Sequence, residues 1–145
     1  MGFQFPLASV LRHRGMIEDR EERMLQNIQQ EIARTMQLIE DFDAEIAKAN
    51  VARRANVRKA STALDMHAAY GYLENLKQQK TEQIERLAKL EDLRTKQIVI
   101  YRAARRDREV LDDIFDRSRT AYESEAAKRE QRTVEDTFAA RRARG

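Results

Sequence analysis

The chain has 145 residues, 41% hydrophobic and 37% charged, with one proline, four glycines and no cysteine. That is too apolar for a wholly disordered chain and too charged for an ordinary packed domain; the lack of cysteine leaves no disulfide framework and suits a reducing compartment. Formal net charge is only +3, from 28 basic and 25 acidic side chains, so its distribution says more about partners than its total.

Residues Gly2 to Phe5 form a short apolar lead-in, with Phe3 and Phe5 alternating with Gly2 and Gln4. Pro6 follows, suited to the first position of a helix, where its missing N–H costs nothing. A first helix is expected from about residue 6 to about residue 58. Its apolar stripe opens with Leu7, Val10, Ile17 and Met24, while Arg14 and Glu21 interrupt at seam positions. It continues as Ile28, Ile32, Thr35, Ile39, Phe42, Ile46 and Ala49, in alternating steps of four and three that mark a coiled-coil seam. Met24, Ile28 and Ile32 make two successive steps of four, a stutter that locally unwinds a supercoil unless Leu25 carries the seam instead.

No acidic residue falls between Ile46 and Leu64, whereas Lys48, Arg53, Arg54, Arg58 and Lys59 all do. Cations at a helix C-terminus complement its dipole. The same cluster is a candidate contact tip, with Arg53, Arg54, Arg58 and Lys59 as its residues. A turn is expected over about 59–62, and Thr62-Ala-Leu-Asp65 has the form of a capping box.

The second helix is expected from about residue 63 to about 138, followed by a basic tail over 139–145. Gly71 lowers helix propensity by about 1 kcal/mol against alanine, so a kink or fraying is expected around Tyr70–Tyr72. The stripe runs Leu73, Leu76, Ile84, Leu87, Leu90, Ile98, Tyr101, Leu111, Phe115 and Tyr122. Gln83, Glu91, Arg94, Arg105 and Arg108 fall near it, which a two-helix hairpin tolerates because long side chains reach out to water.

At 1.5 Å per residue the first helix is about 80 Å long and the second about 110 Å. Folding the chain back near residue 61 sets Ala8 opposite Ile114. Phe3, Phe5 and Leu7 then reach Phe115 and Tyr122, and the last stretch of the second helix projects without an intrachain partner. The expected fold is therefore all-α: one coiled-coil domain over residues 1–145, a two-helix antiparallel hairpin with the second helix overhanging. The overhang carries arginines together with Tyr122 and Phe138, which makes it the leading binding-surface candidate.

Signals for chemistry are missing. No glycine-rich phosphate loop, paired cysteines or H-E-x-x-H helix is present. His13 and His67, the two histidines, fall far apart in the hairpin register and cannot share a metal. Carboxylates are plentiful, but acid–base work requires a cleft that perturbs their pKa. No catalytic residue, cofactor or metal ligand is expected, and no enzyme activity. Acidic residues interleave with the basic ones through most of the chain, which argues against nucleic acid as a partner. No small-molecule substrate is expected, and no run is apolar enough to span a bilayer.

The N-terminal residues are more specific than composition. Phe3-Gln-Phe5-Pro-Leu7, then Val10-Leu11 and Arg14, followed by Glu18, Glu21 and Glu22, resemble the opening of the flagellar FliJ family. The Tyr70-Gly-Tyr72-Leu73-x-x-Leu76 segment and Glu130-Gln131-Arg132 followed by Glu135-Asp136 are similar to later parts of that family. The resemblance implies an antiparallel coiled coil serving the flagellar type III export apparatus, without enzyme activity of its own. It implies the hexameric export ATPase, the membrane export-gate protein and substrate-specific export chaperones as partners. The implied location is the cytoplasm, peripherally at the inner face of the inner membrane. On that reading Phe3, Phe5, Tyr122, Arg129, Arg132 and Phe138 form the end that meets the ATPase. The alternatives are the stalk protein of an injectisome and a generic structural coiled coil.

Overall fold

A computed structural model describes residues 2–58 and 62–145. Two helices account for nearly all of them: α1 spans Ala8–Arg58 and α2 spans Ala63–Arg144. No strand occurs among the described residues. Lys59 and positions 59–61 of the expected turn lie outside the described residues. The fold is all-α, a two-helix hairpin.

The helix ends follow local chemistry. The Ala8 amide donates to the Phe5 carbonyl at 3.1 Å, so Pro6 and Leu7 are the central pair of a turn and not the first helical residues. Proline pre-sets the φ angle that the second residue of such a turn needs. The first helical bond follows, from the Leu11 amide to the Leu7 carbonyl at 2.9 Å. At the start of α2, Thr62 Oγ1 accepts the Asp65 amide at 3.1 Å, the cap that the sequence pattern requires. α2 then runs through Gly71 unbroken, and a Cβ added there would meet open space. It also runs past Phe138 to Arg144, so most of the expected basic tail is helical. Ala139, Ala140 and Ala143 are strong helix formers, and Arg141, Arg142 and Arg144 sit where the helix dipole favours cations.

The chain packs as two units. In the unit Glu21–Ile100, α1 and α2 run antiparallel: Gln97 bonds Glu21, Arg86 pairs with Glu31, and Lys80 pairs with Asp43. Rising numbers on α1 thus meet falling numbers on α2. The seam residues of α1 are Glu21, Leu25, Ile28, Ile32, Thr35, Ile39, Phe42, Ile46 and Ala49, with Glu22, Glu31, Glu45 and Asn50 half-buried beside them. On α2 they are Ala69, Leu73, Leu76, Lys80, Gln83, Leu87, Leu90, Arg94 and Gln97, with Gln79 and Ile98 half-buried beside them. Both series alternate steps of three and four without interruption, so the stutter is absent. Leu25 carries the seam and Met24 is half exposed; Gln83 takes the place expected of Ile84. The period decides these choices, because a helix advancing 3.5 residues per turn against its partner cannot present neighbouring positions to the same seam.

Polar atoms inside this seam are mostly satisfied. Thr35 is 1% exposed, and its hydroxyl donates to the Glu31 carbonyl at 2.8 Å. Gln97 donates through Nε2 to the Glu21 carboxylate at 2.6 Å and to the Glu21 carbonyl at 3.0 Å. Gln83 Oε1 is the exception, a buried oxygen with no hydrogen-bond partner.

The second unit joins Met1–Arg20 to Tyr101–Gly145. The seam continues through Leu11, Arg14 and Glu18 on α1 and Tyr101, Ala104, Arg108, Leu111, Phe115, Ser118 and Tyr122 on α2, again at steps of three and four, with Gly15, Ile17 and Asp112 half-buried beside it. Arg14–Asp107 and Glu18–Arg108 join the helices antiparallel. Past Tyr122 every residue is exposed except half-buried Ala126, so α2 overhangs here as the sequence implies.

Thermal melts of single variants test the seam. Leu25→Ala should destabilise the chain by about 2 kcal/mol or more, since it empties a buried position. Met24→Ala should stay within about 0.5 kcal/mol as a surface change; the reverse order of costs would restore the stutter. Gln83→Leu should raise the melting temperature, because it removes an unpaired oxygen whose burial costs about 1–3 kcal/mol.

Candidate interaction surface

The lead-in to α1 has no backbone ladder of its own and is held by its side chains. The Phe3 ring meets Phe115 edge-on at 5.6 Å between centroids and tilts against Tyr122 at 5.5 Å. Phe5 meets Phe115 edge-on at 5.2 Å. Such edge contacts suit the ring quadrupole and add about 0.5–1.5 kcal/mol each beyond area burial. Alternation explains why both rings face one way: in an extended segment residues two apart share a side. The brace predicted from Phe3 and Phe5 to Tyr122 is therefore formed, with Phe115 at its centre.

Two helical turns from Phe115 in the same unit, ion pairs replace carbon. Arg108 hydrogen-bonds Glu18 through Nε and Nη2, the latter at 3.2 Å, and reaches Asp112 through Nη1. The Glu18 side chain is 13% exposed and that of Arg108 29%, so their contact is part-buried, while Asp112 stays half exposed. Its hydrogen bonds to Glu18, then Asp112, hold the Arg108 guanidinium protonated even beyond the usual arginine range. Arg105 is shifted the same way by its hydrogen bond to Glu109. A planar guanidinium can satisfy two carboxylates at once where lysine cannot. The fork was not among the residues singled out for function. Its sequence signal was an arginine at a seam position with a carboxylate four residues on.

Beyond Tyr122, α2 supports itself. Arg119 pairs with Glu123, Lys128 with Glu125, and Gln131 donates to Glu135. Thr133 and Thr137 hydroxyls donate to carbonyls one turn back. Arg129, Arg132 and Phe138 are all exposed, as a contact surface requires, but they do not share a face. With 3.6 residues per turn, Arg129 lies two turns from Tyr122 on its own side, whereas Phe138 points the opposite way. Phe138 instead belongs with Val134, four residues back and also exposed, and with Arg142, whose guanidinium carbon stands 5.4 Å from the ring centroid. The Val134–Phe138 pair was legible as an apolar i, i+4 couple in a polar stretch.

In the other unit Arg53, Arg54 and Arg58 all stand exposed on the last two turns of α1. His13 and His67 belong to different units, and no cluster of metal-ligating side chains occurs among the described residues. No described helix is long and apolar enough to cross a membrane.

Limited proteolysis tests the brace. Phe3→Ala with Phe5→Ala should speed tryptic cleavage after Arg117 and Arg119 several-fold, read by mass spectrometry, while far-UV circular dichroism changes little. Unchanged cleavage would show that Phe115 and Tyr122 hold this part of α2 in place without the lead-in.

No curated protein and no solved structure matches the chain. The family described as Flagellar FliJ protein matches residues 3–145, from the first ring of the brace to the end of the overhang. The aromatic lead-in, the two-helix hairpin and the extended second helix lie together within that span, and the chain belongs to the FliJ family, a non-enzymatic component of flagellar protein export.

Proposed function

We propose that the protein is a stalk and chaperone-escort component of the flagellar type III export apparatus that meets the export ATPase ring through the overhanging end of α2. The observation that carries this reading is the run from Glu123 to Arg144. It is helical, almost wholly exposed and studded with arginines, and it begins where the aromatic brace ends. A segment that is already helical presents side chains at fixed spacing, so docking costs less ordering entropy than folding a loose tail. On this reading Tyr122 and Arg129 address the ring from one side of the helix, and Val134 with Phe138 from the other. Arg132 lies between those two faces, and Phe3 and Phe5 brace the segment's root.

The same reading includes contact with the membrane export gate and handover of export chaperones, with Arg53, Arg54, Arg58 and Lys59 as candidate tip contacts. It places the protein in the cytoplasm, peripherally at the inner face of the inner membrane. ATP hydrolysis belongs to the partner. The matched family is the flagellar one, which favours the flagellum over an injectisome.

Co-purification with the cognate export ATPase is the direct test. The full chain should retain the ATPase, a chain lacking residues 119–145 should lose it, and Phe138→Ala with Arg129→Glu should weaken it. Unchanged retention by the truncated chain would overturn the assignment of the α2 end.

A further inference from the structure

In the unit Glu21–Ile100 the hairpin has a second apolar strip beside its seam. The Arg86–Glu31 pair, 2.9 Å long, bridges the two helices along one flank. Positions seven residues away lie on that same flank, one heptad along. On α1 these are Met24 and Leu38, and on α2 Leu93 and, one heptad further, Ile100. All four are half exposed: Met24 47%, Leu38 40%, Leu93 49% and Ile100 48%. Most flanking positions of a two-stranded coiled coil carry charges, because water reaches them. At Met24 and Leu38 a third apolar residue joins the two of the seam, Leu25 with Ile28 and Ile39 with Phe42, which is more than one helix pair can bury; the Arg86–Glu31 pair stands between them on the flank.

The strip is continuous with the seam. Leu93 has Leu90 and Gln97 as its neighbours on the seam side, three and four residues away. On the outer side its neighbours at the same spacing are Lys89 and Lys96, and Lys96 is also four residues before Ile100. Across the flank, Glu31 is a single carboxylate between the guanidiniums of Arg34 and Arg86. Outer neighbours of the strip at this spacing are Arg20, Arg34, Lys89 and Lys96 against Asp41, and Lys96 also pairs with Asp92 at 2.9 Å, so the wall is cationic on balance. A second copy laid on it through the same face would set Lys89, Lys96 and Arg34 against their own equivalents.

We infer that Met24, Leu38, Leu93 and Ile100 form a docking strip for a third helix from another protein, apolar along one seam and acidic at its flanking positions. This surface is distinct from the α2 end assigned to the ATPase, and neither assignment depends on the other. Burying the strip extends the existing seam from two helices to three, while carboxylates on the incoming helix meet Lys89, Lys96 and Arg86. The arrangement is that of a heterotrimeric coiled coil, in which carbon supplies attachment and flanking charge chooses the partner.

The test uses the full chain and two synthetic peptides of three heptads with leucine at both seam positions, one with glutamate and one with lysine at every flanking position. Fluorescence anisotropy should show saturable binding of the glutamate peptide and at least tenfold weaker binding of the lysine peptide, on the order of one strong charge-dependent contact. Leu93→Gln with Ile100→Gln should weaken the glutamate peptide about tenfold, as loss of two central anchors does, with far-UV circular dichroism unchanged. Lys89→Glu with Lys96→Glu, which leaves the apolar positions intact, should reverse the preference between peptides. Equal binding of the two peptides would overturn the proposal, as would no binding or indifference to the glutamine variants. Sedimentation of the chain alone as a dimer that Leu93→Gln with Ile100→Gln dissolves would give the strip to a second copy and overturn it too.

Discussion

Two helices lying side by side can hide one stripe each, and nothing more. A third layer would give every core residue neighbours all round; here each seam residue has a partner helix on one side and water close by on the others. Few side chains are consequently sealed off: Ile32, Leu73, Leu76 and Ala104 among the apolar ones, with Glu21, Thr35 and Gln97 among the polar. Stability must accumulate turn by turn along the pair, so an unbroken three-and-four spacing matters more than the bulk of any one residue. That requirement explains why Leu25 and not Met24 faces inward, and why Gln83 faces inward although its carbonyl oxygen goes unpaired.

The polar residues admitted to the seam have a different role from the leucines. Carbon layers are interchangeable, and a helix slid by one heptad against its partner would find leucines again. Glu21 and Gln97 would not find each other, nor would Arg108 find Glu18. Breaking such a buried pair leaves a desolvated group behind, which costs more than the pair itself contributes. The polar layers therefore fix the register that the apolar layers leave loose, as single buried polar residues do in coiled coils generally. Each packing unit holds its own fastener: the Gln97–Glu21 bond in one, and the Arg108 fork in the other.

Most of this architecture was legible in the residues. The lone proline, the rarity of glycine and the spacing from Ile28 to Ala49 gave the helices. Of the expected capping box the Thr62 half is formed, and folding back near residue 61 gave the pairing of Phe3 and Phe5 with Phe115 and Tyr122. What the residues concealed was choice among neighbours. Met24 and Leu25 are both apolar neighbours that hydrophobicity hardly separates, and for Gln83 beside Ile84 hydrophobicity gives the wrong order, because partner geometry decides. The helical ending at Arg144 was missed because a basic run reads as a tail, although alanines interleaved with arginines propagate a helix well. Of the proposed contact residues Arg129, Arg132 and Phe138 stand exposed while Phe3, Phe5 and Tyr122 are half-buried in the brace, and their lying on two sides was not legible, since a list of residues carries no angle until the helix is known to continue.

The stitching of α2 beyond Tyr122 has a consequence for how that segment responds to its surroundings. Its turns are held by Arg119–Glu123, Lys128–Glu125 and threonine hydroxyls, with almost no dehydrated carbon behind them. Exposed charge pairs fade as ions crowd around them, whereas a leucine seam does not. Raising salt would thus loosen the projecting segment while leaving the paired helices intact, and ionic strength becomes a dial on the projecting segment alone.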